Sequence, residues 1–145
     1  MSNEDESTTL QDYFGEPISV YTRGQAIEDG VLVDVTDIAK EAGFRLNTCI
    51  TRAAWEDCCV WSEDDEEQCR YHDQDQDGRI WDVLFMAAFE ARKEEAQGRE
   101  RVHFTIMRRP RPGGNDHNKV VTLRLVISPG DNGEAVLTIM LPHED

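Results

Sequence analysis

Apolar and polar positions along the chain change period about two thirds of the way through. Up to residue 97 the apolar residues mostly recur at helical spacing; from residue 101 onward they alternate, as strands do. The clearest local signal is YTRGQAIEDGVLVDVT, residues 21–36. Thr22 and Gln25 have capping-box spacing, and Tyr21 stands where a hydrophobic staple onto Ala26 would begin. Gly30 supplies a left-handed stop. Val31, Val33 and Val35 then alternate with Leu32 and Asp34, which predicts a strand.

Thr36 is placed to cap a short helix over Asp37–Ala42, with Gly43 as its stop. The stretch Phe44–Ile50 has no assignable period. Thr51 is the expected cap of a helix over Arg52–Ser62, with Ala54, Trp55 and Cys58 on one face. The polar run SEDDEEQCRYHDQDQD, Ser62–Asp77, predicts a loop or a frayed helix end. Gly78 precedes the longest helix, expected over Arg79–Ala96 with Asp77 as its cap. Ile80, Val83, Leu84, Ala87 and Ala91 form its stripe, and Trp81, Phe85, Ala88 and Phe89 widen that stripe into a broadly buried surface.

Three alternating runs follow, around Val102–Ile106, Val121–Ile127 and Ala135–Leu141. RRPRPGGNDHN joins the first two and SPGDNG the last two. Such Pro-, Gly- and Asn-rich joins predict a C-terminal antiparallel meander. The expected fold class is α+β: one domain over residues 17–145, with helices on one face of a three- to four-stranded antiparallel sheet. Residues 1–16 are polar and acidic and are expected to be a flexible tail.

The chain's 145 residues suit one domain. It has no apolar run long enough for a membrane span, and its opening is acidic rather than signal-like, so a cytoplasmic location away from membranes is expected. Its four cysteines then read as reduced thiols. Thirty acids against fifteen bases give a net charge of −15, which disfavours nucleic acid in general and favours basic partners.

Two charge patterns stand out. Glu56–Asp82 holds eleven acids and two bases, a local −9. Within it Glu63, Asp64, Asp65, Glu66, Glu67, Asp73, Asp75 and Asp77 are the candidate partner-binding surface. Carboxylates spread over a folded surface can imitate the charge spacing of a nucleic-acid duplex, about one charge per 1.7 Å. Trp61 and Tyr71 beside them are candidate anchors. The opposite pattern is Arg101, Arg108, Arg109, Arg111, Lys119 and Arg124, six bases with only Asp116 against them, a local +5. Arg108, Arg109, Arg111 and Lys119 are thus the alternative candidates for nucleic-acid contact, or else partners for the molecule's own acids. No aromatic residues interleave with them for base stacking, which ranks direct nucleic-acid binding lower.

Metal and catalytic signals are weak. Asp73, Asp75, Asp77 and Gly78 match the start of a calcium loop, but the twelfth position is Leu84, where a bidentate Glu is required. Cys69 and His72 have half the spacing of a zinc site, without a second pair. Nothing resembles a phosphate loop, a nucleophile elbow or a dinucleotide fingerprint. No cofactor, no metal and no catalytic residue is therefore expected, and the chain reads as a non-enzymatic interaction domain.

The blocks ISVYTRGQAIEDGVLVDVT, TRAAWEDC, GRIWDVLFMA, VTLRLVISPGDNGE and VLTIMLPHED together resemble a family of small bacterial proteins of unknown function encoded on plasmids and phages. That resemblance implies a mobile-element setting and carries no catalytic residue. With the acidic run, it leads to the expectation of an inhibitor of host nucleic-acid-targeting defence, anti-CRISPR or anti-restriction, whose partner is a host protein with a basic surface. The alternatives are a nucleic-acid-binding accessory protein using the basic hairpin, or a metal-stabilised regulatory domain.

Overall fold

The computed structural model describes residues 21–69, 74–112 and 119–144, with the Lys119 side chain excepted. The acidic tail expected over residues 1–16 lies outside the described residues, as do Arg70, Tyr71, His72, Asp73, Asp116 and His117.

In chain order the elements are α1 (Arg23–Glu28), β1 (Leu32–Asp34), α2 (Thr36–Glu41), β2 (Thr48–Thr51), α3 (Arg52–Cys58), α4 (Glu63–Gln68), α5 (Gln76–Ala91), a 3-10 turn (Glu94–Ala96), β3 (Arg101–Arg108), β4 (Lys119–Pro129) and β5 (Ala135–Met140). The strands form one mixed sheet in the order β1-β2-β5-β4-β3. The meander is present, since β3 pairs with β4 and β4 with β5, both antiparallel. The expected three- to four-stranded antiparallel sheet is corrected to five strands, because β2 inserts between β1 and β5 and runs parallel to β5. Thr48, Cys49 and Ile50 face Leu137, Thr138 and Ile139. This strand has only four residues, TCIT, with no solvent-facing position to create an alternating pattern.

The core lies between the sheet and helices α2, α3 and α5. Ile50, Leu84, Leu123 and Ile139 are among its fully buried side chains. Helix α5 crosses β3 and packs on α2 and α3. The opposite face of β5 is buried as well, through Val136, Thr138 and Met140, so the central strand is covered on both sides rather than one. Arg23 contributes there: its guanidinium donates to Thr138 Oγ1 at 2.8 Å and to the Leu137 carbonyl at 2.6 Å.

The opening capping box forms as its spacing requires, with Gln25 N–H on Thr22 Oγ1 at 3.0 Å and Thr22 N–H on Gln25 Oε1 at 2.9 Å. Gly30 follows at φ 79°. Tyr21, however, is exposed rather than stapled onto Ala26, and its hydroxyl donates to Asp29 Oδ2 at 2.7 Å. Thr36 is the first residue of α2 rather than its cap. Its hydroxyl instead donates to Asp34 Oδ1 and accepts from the Thr48 N–H, tying β1 to β2.

Thr51 does cap α3, but that helix stops at Cys58. Ser62 caps a separate helix, α4, inside the stretch expected as a loop or a frayed helix end. Helix α5 is capped by Asp75 rather than Asp77, through a 2.6 Å bond from the Gly78 N–H, and ends at Ala91 rather than Ala96. No helix among the described residues is long and apolar enough to cross a membrane.

Candidate functional site

Helix α4 exists because its first turn is doubly satisfied. The Asp65 N–H donates to Ser62 Oγ at 3.1 Å, and the Ser62 N–H donates back to Asp65 Oδ2 at 2.8 Å, a capping box. Four acids in that turn, Glu63 to Glu66, also complement the positive end of the helix dipole. A run of acids that repels itself in an extended chain is thereby useful at a helix start.

The same Asp65 carboxylate joins the two charge patterns. Arg111 Nε donates to Asp65 Oδ2 at 2.7 Å. Arg108, itself buried, meets Asp57 Oδ1 at 3.4 Å. Arg79 lies between them, only 4% exposed, with its guanidinium 5.1 Å from the centre of the Trp61 ring. Arg79 Nη1 donates to the Arg109 carbonyl at 2.8 Å and to Gln74 Oε1 at 3.0 Å. Trp61 Nε1 donates in turn to Glu66 Oε1 at 3.1 Å. Acidic α4 and the basic strand end are therefore two sides of one internal network.

Burial by itself would raise the Asp65 carboxyl. The Ser62 amide, the Arg111 guanidinium and the Ser62 hydroxyl outweigh it and hold the group below the usual carboxylate range. Burial also lowers the Arg79 guanidinium from its ordinary value. Arg79 Nε and Nη2 are buried without a hydrogen-bond partner, a cost accepted in exchange for ring stacking and the two Nη1 bonds.

This geometry sorts the candidates. Of the acidic set, Asp65 is buried and Glu66 is half-buried, both bonded within the network. Glu63, Asp64, Glu67, Asp75 and Asp77 are exposed. Asp73 lies outside the described residues. Of the basic set, Arg108 is buried, Arg111 is paired with Asp65, and the Arg109 carbonyl is held by Arg79. For Lys119 only the backbone, paired with Arg108 in the sheet, is described. Trp61 is an anchor, but an internal one.

Among the described residues no three His, Cys, Asp or Glu side chains are grouped to hold a metal ion. Asp75 caps α5 and Asp77 lies in its first turn. Cys49, Cys58, Cys59 and Cys69 are all buried free thiols. Burial pushes Cys58 and Cys59 up to about 12, which makes them poor nucleophiles and poor ligands at neutral pH. A cleft of about 330 Å3 between α2 and α3 is bordered by Asp34, Thr36, Asp37 and Trp55, but Asp34 already accepts from the Thr36 amide and hydroxyl.

The chain from residue 11 to 145 matches a family described as "Family of unknown function (DUF6573)". The protein belongs to this family. The match covers every described element, so the network around Arg79 and the faces of α4 and α5 lie within the DUF6573 domain. No curated protein and no solved structure matches the chain.

One surface of this DUF6573 protein departs from the pattern expectation. Trp81, Phe85 and Phe89, read from the sequence as part of the buried stripe, are 38%, 48% and 50% exposed. They recur at i, i+4 and i+8, a row of their own rotated away from Ile80, Val83, Leu84 and Ala87. That separate spacing was the available signal. It was masked because helix periodicity identifies apolar rows without saying which of two rows meets the core.

Proposed function

We propose that this protein is a non-enzymatic acidic interaction protein, one that binds a host protein through that partner's basic, nucleic-acid-binding surface. One observation carries the reading. The internal network engages Arg108 and Arg111, while Glu63, Asp64, Glu67, Asp75 and Asp77 stay in solvent. The region pairs Arg108 and Arg111 with its own acids and still leaves five carboxylates in solvent, on a chain already at −15. A helix-borne acidic surface favours fast, salt-sensitive association with Lys- and Arg-lined channels.

The sequence resemblance to plasmid- and phage-encoded proteins supports a mobile-element setting. In such a setting the partner is a nucleic-acid-targeting defence enzyme, and the role is inhibition by mimicry, anti-CRISPR or anti-restriction, in the cytoplasm. The basic-hairpin alternative is weakened by the burial of Arg108 and the pairing of Arg111, which leave fewer cations to meet phosphates.

The test is capture of partners by tagged protein from nuclease-treated bacterial lysate, at low and moderate salt, with DNA or RNA as competitor. The comparison is a quadruple variant, Glu63→Lys, Asp64→Lys, Glu67→Lys and Asp77→Lys. Asp65, Glu66 and Asp75 are kept because they hold α4 and cap α5. The wild type should enrich one nucleic-acid enzyme, the competitor should displace it, and the variant should lose it. Equal enrichment by the variant would sink the reading.

A further inference from the structure

Trp81, Phe85 and Phe89 form a continuous exposed row along α5, with the Trp81 and Phe85 rings stacked at 6.4 Å between centroids. Exposed aromatics grouped this way are uncommon on a surface that serves only solubility. Each of the first two has an acid one turn before it: Asp77 is four residues ahead of Trp81, and Asp82 three ahead of Phe85. Both acids are exposed.

The third aromatic already carries a cation of the chain itself. Lys93 Nζ lies 5.2 Å from the centre of the Phe89 ring and bonds Glu90 Oε2 at 2.8 Å. An ammonium group is thus shared between a ring face and a carboxylate. No described cation stands over Trp81 or Phe85. Trp81 and Phe85 thus offer exposed rings bordered by the acids Asp77 and Asp82, to which a cation from outside the described chain can be drawn.

We infer that the Trp81-Phe85-Phe89 face of α5 docks a basic amphipathic helix of a partner protein, whose apolar side chains lie on the rings and whose Lys or Arg residues meet Asp77 and Asp82. Charge complementarity selects this occupant. A second copy of the chain would bring another −15 against this one, and a net charge of that size opposes self-association. The docking mode is helix on helix, read through anchors one turn apart. The inference rests on the protein-binding reading above and adds the apolar anchor that an acidic surface alone lacks.

The test uses the full chain, isotope-labelled for NMR, and three synthetic peptides of about 18 residues, five turns of helix. One is a Leu/Lys amphipathic sequence, one has the same pattern in Leu/Glu, and one has Ser in place of every Leu. The Leu/Lys peptide should bind, with resonance changes centred on Trp81, Phe85 and Phe89. The other two should bind at least about tenfold more weakly, a loss of about 1.4 kcal/mol. The double variant Phe85→Ser, Phe89→Ser should lose the Leu/Lys peptide by a similar factor with unchanged circular dichroism.

Equal binding of the Leu/Glu peptide, unchanged binding by the double variant, or resonance changes elsewhere would overturn the inference. So would a wild-type dimer in sedimentation that the double variant dissociates, since the occupant would then be a second copy. The charge-reversed α4 triple variant, Glu63→Lys, Asp64→Lys and Glu67→Lys, separates the two ideas. If it keeps the peptide but also keeps its lysate partner, the α5 face stands and the acidic-surface reading falls. If it loses the lysate partner while the Phe85/Phe89 variant keeps both partner and peptide, the acidic surface stands and the α5 inference falls.

Discussion

Arg111 Nε donates to Asp65 Oδ2 across 2.7 Å and 46 positions of sequence, which makes the strongest acidic and basic patterns of the chain each other's partners. Arg111 is half-exposed, so the ion pair alone is worth no more than about 1 kcal/mol. Asp65 matters more through the Ser62 amide it satisfies. Asp65→Ala removes the return bond of the α4 capping box and strips Arg111 and Ser62 of their acceptor. It should cost about 1–3 kcal/mol in urea unfolding. Glu63→Ala, on the exposed side of the same turn, should stay within about 0.5 kcal/mol.

The Asp65 carboxyl also predicts an acid limit. Its folded value lies below the unfolded one, which is about 3.9. The stability it contributes is therefore present above about pH 4 and lost as pH falls through the lower folded value. Asp131 shifts the same way, because its carboxylate accepts the Arg23 and Gly24 amides at 2.8 and 3.0 Å. Unfolding free energy measured from pH 7 to pH 2 should fall on the acid side, and Asp65→Asn should flatten part of that slope. A slope unchanged in Asp65→Asn would remove Asp65 from the account.

Burial predicts inert thiols. Cys58 and Cys59, raised to about 12, stay protonated in the folded protein. A raised thiol stabilises the fold below the unfolded value, about 8.5, and that contribution is lost as pH rises toward 12. An aromatic disulfide reagent at pH 8 should find no fast-reacting thiol in the native protein and all four cysteines in guanidinium chloride. A fast-reacting thiol in the native state would place one of them at a surface.

Arg79 offers a test of where specificity resides. Its guanidinium is buried with two nitrogens unpartnered, so replacing it by Met exchanges an expensive charge for a side chain of similar reach. Arg79→Met should change stability by less than about 1.5 kcal/mol, less than Leu84→Ala at about 2–5 kcal/mol in the same core. The variant should still broaden the NMR resonances of Trp61 and of residues 108–111, because Nη1 no longer fixes the Arg109 carbonyl.

The sequence by itself determined the elements whose causes are local. The Thr22/Gln25 box, the Gly30 stop, the Thr51 cap and the alternating runs of the meander need only neighbours a few residues away, and all are present. The exposed positions of Glu63, Asp64 and Glu67 also follow from composition, since unpaired carboxylates stay in water.

Only the tertiary structure decided the rest. β2 is a strand because Asn47 to Ile50 finds β5 some 90 residues away, and four buried residues leave no periodic trace. Ser62–Gln68 is helical because Asp65 is both the partner of its cap and the acceptor for a distant arginine. Trp81, Phe85 and Phe89 are outward because β3, α2 and α3 occupy the other side of α5. A helix with two apolar rows can bury either one, and that choice rests on what packs against it, which no short stretch of sequence contains.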